Sequence, residues 1–193
     1  SNKVDKKRYN VEFVSANPTG PLHVGHCRGA VLGDVVSNML SFNGNKIIKE
    51  YYVNDSGTQI KNFVLSVYRR ILEILEKKPF PQDKDLYPGD YIIDIAKKII
   101  KKKTIKNFSN FEKVYKKLSL ASLKYSMQLI NRNLSLLGIK HDSFVYESKL
   151  IDKKMVSKVV KKLQKRKYIY KGKLNVPKGE QTKDWKMRDQ LLF

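Results

Sequence analysis

The sequence is short of several things, and each shortage narrows the class of protein. Its 193 residues include one cysteine, Cys27, which excludes an intrachain disulfide and fits a reducing compartment. No apolar run reaches the roughly eighteen residues of a membrane-spanning helix. Residues 1–10 also lack the apolar segment of a signal peptide. We therefore expect a cytoplasmic protein with no membrane association.

Acidic residues are scarce as well, with 18 against 40 lysines and arginines, which leaves a net charge of +22. One interpretation is a polyanionic partner, for which nucleic acid is the default. The other is a lysine-rich surface produced by AT-rich coding, in which the charge has no task. The hydrophobic fraction of 41% is ordinary for a globular protein, and 193 residues suit one domain or one domain with an insertion.

Hydrophobic patterns predict how the first part of the chain is organised. Segments with a two-residue hydrophobic period take turns with segments of helical period. They predict two strands and two helices in the order strand 11–15, helix 23–42, strand 46–53 and helix 57–77. This order is that of a parallel βαβ unit. Residues 1–77 are therefore predicted to form an α/β unit with a parallel sheet.

The middle of the chain has a different character. Prolines and the Pro88–Gly89 pair interrupt the pattern, after which helices are predicted near 91–100 and 111–137. We interpret residues 78–135 as a mostly helical insertion or connective segment.

The last part of the chain, 136–193, is predicted to contain further short elements. Its patterns favour a strand at 141–146, a helix at 151–167 and a hairpin at 168–176 that turns at Lys171–Gly172.

One segment carries recognisable chemistry, and it lies between the first strand and the first helix. Residues 16–26 read Ala-Asn-Pro-Thr-Gly-Pro-Leu-His-Val-Gly-His. In a parallel sheet this strand-to-helix loop is where nucleotides bind, because the helix N-terminus presents free N–H groups and a positive dipole end. His23 and His26 are three residues apart and share one face of the first turn, where they can donate to phosphate oxygens. Gly25 leaves room for a flat base against the backbone.

The histidine–glycine–histidine loop resembles that of the class I aminoacyl-tRNA synthetases, and its neighbours resemble the arginyl-tRNA synthetases. Five separated segments agree with that family in order, and together they cover nearly the whole chain from Asn10 onward. The segments that carry this resemblance are Glu12–Asn17 (E-x-x-S-x-N), Asn54–Gln59 (N-D-x-G-x-Q), Tyr87–Tyr91, His141–Phe144 with Glu147–Ser148, and Asp184–Trp185 through Phe193. The resemblance implies a Rossmann-like, HUP-type parallel sheet. It also implies that residues 1–77 are the first half of the catalytic nucleotide-binding fold and that 136–193 are the remainder of a connective region leading to the second half.

The resemblance also implies roles for particular residues. Glu12 is expected to face the cationic substrate L-arginine, with Ser15 and Asn17 on its polar groups, because a carboxylate and a guanidinium form strong charge-assisted bonds. Asp55 and Gln59 are expected either to line the same pocket or to cap the next helix. The two loop histidines are expected to bind ATP and to stabilise the phosphate transition state, with Mg²⁺ accompanying the nucleotide. No protein metal site is expected.

Parts of the family's active site have no counterpart in this sequence. The resemblance implies an N-terminal tRNA-contacting domain, a second half of the nucleotide fold with a KMSKS loop, and a helical anticodon-binding domain. Lys186–Asp189 lacks the serine and second lysine of that loop. The 193-residue chain is therefore expected to be inactive alone, and the full enzyme is expected to be a monomer that acts on tRNA(Arg).

Two lysine-rich stretches, 97–117 and 153–173, admit two interpretations. They could face the tRNA acceptor end, or they could be solvated helix faces. The aromatic residues Phe108, Phe111 and Tyr115 could stack unpaired bases or form the core side of a helix. The remaining singular residues, Cys27, His141 and Trp185, are interpreted as structural.

Two rival functions remain open at this point. One is another HxGH nucleotidyltransferase that adenylates a small acid without tRNA. The other is a non-catalytic basic module that binds RNA through its charge alone.

Overall fold

The computed structural model describes residues 6–173 and 189–193. The chain divides into two compact units, 1–148 and 149–193. The first unit contains β1 (Arg8–Glu12), α1 (Val24–Phe42), β2 (Lys46–Val53), α2 (Thr58–Glu76), α3 (Asp90–Lys102), α4 (Phe111–Leu136), β3 (Ser143–Tyr146) and the start of α5 (Glu147–Asp152). The second contains the rest of α5, α6 (Met155–Lys165), β4 (Tyr170–Lys173) and β5 (Asp189–Leu192).

A three-stranded parallel sheet in the order β1-β2-β3 organises the first unit. Glu12 of β1 pairs with Glu50 of β2, and Glu50 in turn pairs with Ser143 of β3. Because all three strands run the same way, their carboxyl ends meet at one edge, which is where ligands bind in open α/β sheets. The predicted parallel βαβ unit and its Rossmann-like class are confirmed.

The first strand ends earlier than its sequence pattern predicts, at Glu12 instead of Ser15. The backbone leaves the sheet because Val14 and Ser15 adopt φ of 67° and 42°, and the Ser15 N–H donates to the Phe13 carbonyl at 3.0 Å. A positive φ is a strained conformation for a β-branched residue such as valine. The end of β1 is therefore bent by a tight turn that hydrophobic alternation does not reveal.

Helix α1 packs on the sheet through small residues. Ala30, Gly33 and Ser37 are its buried positions, and a Cβ at Gly33 would lie only 2.2 Å from Cγ of Phe13. This close approach brings the helix down onto the end of β1. The outer face is apolar as well, with seven large exposed side chains: Val24, Val31, Leu32, Val35, Val36, Met39 and Phe42.

Helices α2, α3 and α4 form a core of their own. Of the six residues on the predicted apolar side of α2, only Leu75 is half exposed. The other five are buried: Ile60, Phe63, Val64, Val67 and Ile71. Phe108 is buried and its carbonyl accepts a 2.6 Å hydrogen bond from Tyr68, while Phe111 and Tyr115 pack against the same cluster. The core interpretation of these aromatic residues is confirmed.

The second unit departs from its predicted elements at two places. The helix predicted at 151–167 is broken at Lys154, whose φ of 53° separates α5 from α6. The predicted turn at Lys171–Gly172 is wrong, because β4 runs straight through both residues and pairs antiparallel with β5. A Cβ at Gly172 would lie 2.7 Å from Cδ1 of Leu192, so the glycine makes room for a cross-strand side chain. Residues 174–188 lie outside the described residues. They include Trp185 and the first three residues of the segment Lys186–Asp189.

Candidate functional site

The two histidines of the loop form the N-terminal cap of α1. His23 is the cap residue, and its Nδ1 accepts from the Gly25 N–H at 3.1 Å. His26 reciprocates, because its Nδ1 accepts from the His23 N–H at 3.3 Å. The two rings stack with centroids 3.7 Å apart and planes 27° apart. Their predicted placement on one face of the first turn is confirmed.

This cap fixes the protons that the rings present. A neutral imidazole whose Nδ1 accepts a hydrogen bond carries its proton on Nε2. His23 and His26 therefore each turn an Nε2–H donor away from the helix. Burial, and then the neighbouring His23, lower the pKa of His26. The pair is suited to donate two neutral hydrogen bonds to an anion at a positive helix end.

Gly25 has a structural reason to be glycine that the sequence did not reveal. A Cβ at this position would lie 2.9 Å from Cε1 and 3.0 Å from Nδ1 of His23. Any side chain would displace the imidazole that caps the helix. The glycine is required by the cap itself, in addition to the room for a base that its pattern predicts.

Two side chains from other elements hold the ends of the loop. The buried Tyr51 hydroxyl of β2 donates to the Ala16 carbonyl at 2.8 Å. At the other end, the Leu22 N–H donates to Oδ1 of Asn133 on α4 at 3.2 Å. The loop is thus tied to the sheet where it begins and to α4 where it reaches the histidines.

Glu12 and Ser15, two of the predicted arginine residues, contact each other. The Ser15 hydroxyl donates to Oε1 of Glu12 at 2.6 Å and accepts from the Tyr52 N–H at 3.0 Å. The bent backbone at Val14 and Ser15 brings this hydroxyl back over the strand end. Glu12 is exposed, and its other oxygen, Oε2, makes no hydrogen bond within the described residues.

Asn17 and Gln59 are also brought together, although 42 residues separate them. The Asn17 amide nitrogen donates to Oε1 of Gln59 at 2.7 Å. With its N–H₂ engaged, Asn17 turns its carbonyl oxygen toward solvent as an acceptor. This orientation suits a ligand group that only donates, such as an ammonium or a guanidinium.

Asp55 holds the beginning of α5. Its Oδ1 accepts from the Ser148 N–H at 2.8 Å, and its Oδ2 accepts from the Ser148 hydroxyl at 2.6 Å. Beside it, the Ser56 hydroxyl donates to Glu147 at 2.9 Å. Asp55 does not cap the helix that follows it, because α2 begins after Gly57 without a side-chain cap. Asp55 therefore binds the first turn of α5, at Ser148, 93 residues further along the chain, instead of capping α2.

A carboxylate stands at the carboxyl end of each of the three strands. Glu12 ends β1, Asp55 follows β2 and Glu147 follows β3. Partial burial, and then the charges of Glu147, Asp55 and Glu12, raise the pKa of Tyr52. In a chain of net charge +22, this edge of the sheet is locally acidic. Glu147 and Tyr52 were not among the predicted site residues, although the position of Glu147 directly after a strand was a usable signal.

His141 has the structural role predicted for it. The residue is 6% exposed, its ring lies 4.3 Å from that of Phe13, and its Nε2 is 3.3 Å from the Phe13 carbonyl. Burial is the largest cause that lowers the pKa of His141. Cys27, the one cysteine of the sequence, is half-buried.

The described lysines of residues 97–117 are all exposed. Their placement is compatible with a solvated face and with contact to a polyanion, so both interpretations remain. Within residues 6–173 and 189–193, no group of three or more histidine, cysteine or acidic side chains is arranged to hold a metal ion. The same residues contain no helix that is long and apolar enough to span a membrane.

A parallel sheet with a histidine-capped helix at its carboxyl edge defines a nucleotide-binding domain of the class I synthetase type. Residues 1–175 match the family described as tRNA synthetases class I (R), catalytic domain. The chain belongs to this family, the catalytic domains of the class I synthetases for arginine.

Relatives and solved structures agree with this assignment. The chain is 54% identical to the arginine–tRNA ligase of Pelagibacter ubique, over 100% of this chain and 34% of that protein. It is 45% identical to that of Anaplasma phagocytophilum, over 97% of this chain and 32% of that protein. A solved structure from Campylobacter jejuni, described as an arginyl-tRNA synthetase, superposes with a TM-score of 0.79 at 34% identity, over 98% of this chain and 41% of that one.

A more distant structure supports the fold alone. The arginyl-tRNA synthetase of Thermus thermophilus has a TM-score of 0.55 at 18% identity, over 86% of this chain and 28% of that one. The chain spans about a third of the length of the curated relatives it matches.

Proposed function

We propose that the complete protein is an arginine–tRNA ligase. It uses ATP to convert L-arginine to arginyl-adenylate and then transfers the arginyl group to tRNA(Arg). The observation that carries the proposal is that two Nε2–H donors at the start of α1 and three carboxylates at the strand ends lie on the same edge of the sheet. One feature suits an anionic phosphate, and the other suits a cationic amino acid.

In the proposed reaction, the arginine carboxylate attacks the α-phosphorus of ATP and pyrophosphate leaves. The chain supplies alignment and charge stabilisation, which are the main protein contributions to phosphoryl-type transfers. His23 and His26 donate their Nε2–H groups to the phosphate oxygens as negative charge builds up there. Gly25 keeps the rings in place and lies under the nucleotide. Mg²⁺ is proposed to accompany ATP.

Arginine recognition is assigned to Glu12, Ser15 and Asn17. Because the Ser15 hydroxyl holds Oε1 of Glu12, the free Oε2 faces the ligand with its direction fixed. Asn17 offers an oxygen to a donor-only group, since its nitrogen is held by Gln59. In this proposal Asp55 contributes to the acidic edge while it anchors α5.

The proposal extends to partners and setting. The lysine-rich stretches 97–117 and 153–173 are assigned to the tRNA side, and the complete enzyme is proposed to be a cytoplasmic monomer. The 193-residue chain alone is proposed to be inactive in aminoacylation. Charge reversal of several lysines in 97–117 should flatten the salt dependence of tRNA binding, and an unchanged slope would contradict the contact.

The binding step is tested by calorimetry on the complete protein. The ligand is a non-hydrolysable arginyl-adenylate analogue, and a glutamyl-adenylate analogue serves as the matched control. Arginine-selective binding that is strongly weakened in His23→Ala supports the proposal. Equal binding of both analogues would contradict arginine specificity and favour a broader nucleotidyltransferase. RNA affinity that persists without ATP and without any analogue binding would favour a basic RNA-binding module.

A further inference from the structure

The segment Tyr87–Tyr91, Tyr-Pro-Gly-Asp-Tyr, has no task in the site described so far. It leads into α3, whose second residue is Tyr91. The Tyr91 hydroxyl donates a hydrogen bond to the Thr19 carbonyl at 2.9 Å, although the two residues are 72 apart in sequence. The predicted insertion therefore contacts the turn that immediately precedes the histidine pair.

The Tyr91 ring lies against two glycines, one from each segment. A Cβ at Gly20 would lie 3.1 Å from both Cζ and Oη of Tyr91. A Cβ at Gly89 would lie 2.6 Å from Cε1 of the same ring. Neither glycine has a positive φ, so backbone conformation does not require glycine at these positions. The ring itself accounts for both.

The hydrogen bond is well placed to act as a fixed support. Tyr91 is half-buried, and burial is the main cause that raises its pKa to about 12, so the hydroxyl stays protonated and donates throughout the neutral range. The Thr19 N–H donates back to the Asn17 carbonyl at 2.8 Å, which closes the turn around this point. Three residues beyond Thr19, Leu22 is held by Asn133, and His23 follows directly.

We propose that Tyr91 is a positioning residue for the nucleotide site: its ring and hydroxyl hold the Asn17–Pro21 turn so that His23 caps α1 in the orientation that ATP requires. The role rests on the proposed function, because the ligand it serves is the ATP of that reaction. It assigns a purpose to the insertion, which couples α3 to the loop without touching the substrate.

The test compares two tyrosines of the same segment in the complete protein. Tyr91→Phe keeps the ring and removes only the hydroxyl that reaches Thr19. Tyr87→Phe removes a hydroxyl that forms no hydrogen bond to the loop and is the matched control. Arginine-dependent exchange of pyrophosphate into ATP is measured with tRNA present, together with the Kd of a non-hydrolysable ATP analogue by calorimetry.

Tyr91→Phe is expected to raise the KM for ATP and the Kd of the analogue about 3- to 10-fold, the range for loss of one hydrogen bond. The KM for arginine should change less than the KM for ATP, because Gln59 holds the Asn17 side chain independently of Tyr91. The circular dichroism spectrum should stay at its wild-type form, and Tyr87→Phe should match wild type throughout. Equal ATP affinity in Tyr91→Phe and Tyr87→Phe would overturn the proposal. A loss of thermal stability or active fraction with unchanged KM and Kd values would also overturn it, because it would show a purely structural role.

A second pair of variants tests the ring. Gly89→Ala should displace the ring and weaken ATP binding at least as much as Tyr91→Phe. In a Tyr91→Ala background, where no ring remains to be displaced, Gly89→Ala should add little. Additive effects of the two substitutions would contradict the proposed arrangement.

Failure of the proposal and failure of the proposed function give different results. A wild-type protein that binds the ATP analogue but shows no arginine-dependent exchange would refute the arginine–tRNA ligase assignment. In that case the calorimetric comparison of Tyr91→Phe with Tyr87→Phe still decides the positioning role.

Discussion

The contact of α1 with the end of β1 supports a quantitative prediction, because two glycines of one helix differ in their surroundings. Gly33 is buried and faces the Phe13 ring, whose Cγ would lie 2.2 Å from an added Cβ. Gly29 is exposed, and nothing lies within 4 Å of a Cβ built there. Both substitutions to alanine carry the same gain in helix propensity, so the difference between them isolates the steric contact.

The magnitudes follow from that comparison. Replacing glycine by alanine inside a helix gains about 1 kcal/mol. At Gly33 this gain is outweighed by overpacking of about 3 kcal/mol, since the atom that would be struck belongs to the base of a buried ring and has little freedom to move. Gly33→Ala should therefore lower the free energy of unfolding by about 2 kcal/mol, whereas Gly29→Ala should raise it by up to about 1 kcal/mol.

Urea unfolding of the 193-residue chain, followed by circular dichroism, measures both values. Gly33→Ala should shift the midpoint to lower urea with an unchanged m-value, because the surface exposed on unfolding is the same. Gly33→Ala should cost less in a Phe13→Ala background than in wild type, because Phe13→Ala removes the clashing ring atoms Cγ and Cδ2. Equal stabilities for Gly33→Ala and Gly29→Ala would refute the packing of α1 on Phe13.

Three further predictions concern the site. Gln59→Glu keeps the oxygen that accepts from Asn17, so the KM for arginine should stay within about 3-fold of wild type, whereas Gln59→Ala should raise that KM by up to about 10-fold. If steady-state kinetics gave the reverse order, the Asn17 amide would be oriented the other way. Asp55→Ala should destabilise the chain by about 1–3 kcal/mol in urea unfolding, because the Ser148 N–H and hydroxyl lose their acceptors. Asp85→Ala is the control, because Asp85 is exposed and the Asp83 carboxylate accepts the bond in that turn. Because the pKa of His26 is lowered in the folded chain, the unfolded state binds the proton first as the pH falls. The stability that His26 contributes is therefore present above the ordinary histidine pKa and is lost as the pH falls through the lowered pKa. His26→Gln should flatten the fall of the urea midpoint below about pH 6.5, and a slope identical to wild type would contradict the lowered pKa.

Much of the fold could be predicted from the sequence because its local signals are strong. The limits of β2 were predicted correctly, and those of α1 and α2 to within one residue, since hydrophobic periodicity and the Asn43–Gly44 breaker agree with the tertiary packing. The buried face of α1 could not be predicted in the same way. The helix is apolar nearly all round, so its pattern does not distinguish the stripe of small residues on the sheet from the exposed face.

The parts that could not be predicted depend on contacts between distant residues. The early end of β1 coincides with positive φ angles at Val14 and Ser15, and the Tyr52 N–H of the neighbouring strand, 37 residues away, donates to the Ser15 hydroxyl. Gly172 resembled a turn glycine, although it makes room for Leu192 on the partner strand. In both cases the feature depends on a contact with a residue of another strand.

The candidate site was predicted in the same uneven way. The family motifs identified His23, Gly25 and His26, and their spacing placed both rings on one face. The hydrogen bonds that orient the site, from Asn17 to Gln59 and from Ser148 to Asp55, span 42 and 93 residues and are visible only in the folded chain.

The central claim is that the histidine cap of α1 stabilises the phosphate of ATP during arginine activation. It is tested most directly by arginine-dependent pyrophosphate exchange in the complete protein with tRNA present, comparing wild type with His23→Ala and with Arg28→Ala, an exposed control on the same helix. We predict that His23→Ala lowers kcat by about 10²- to 10³-fold, as loss of one preorganised donor does, while Arg28→Ala leaves it unchanged. A wild-type kcat in His23→Ala would contradict the account.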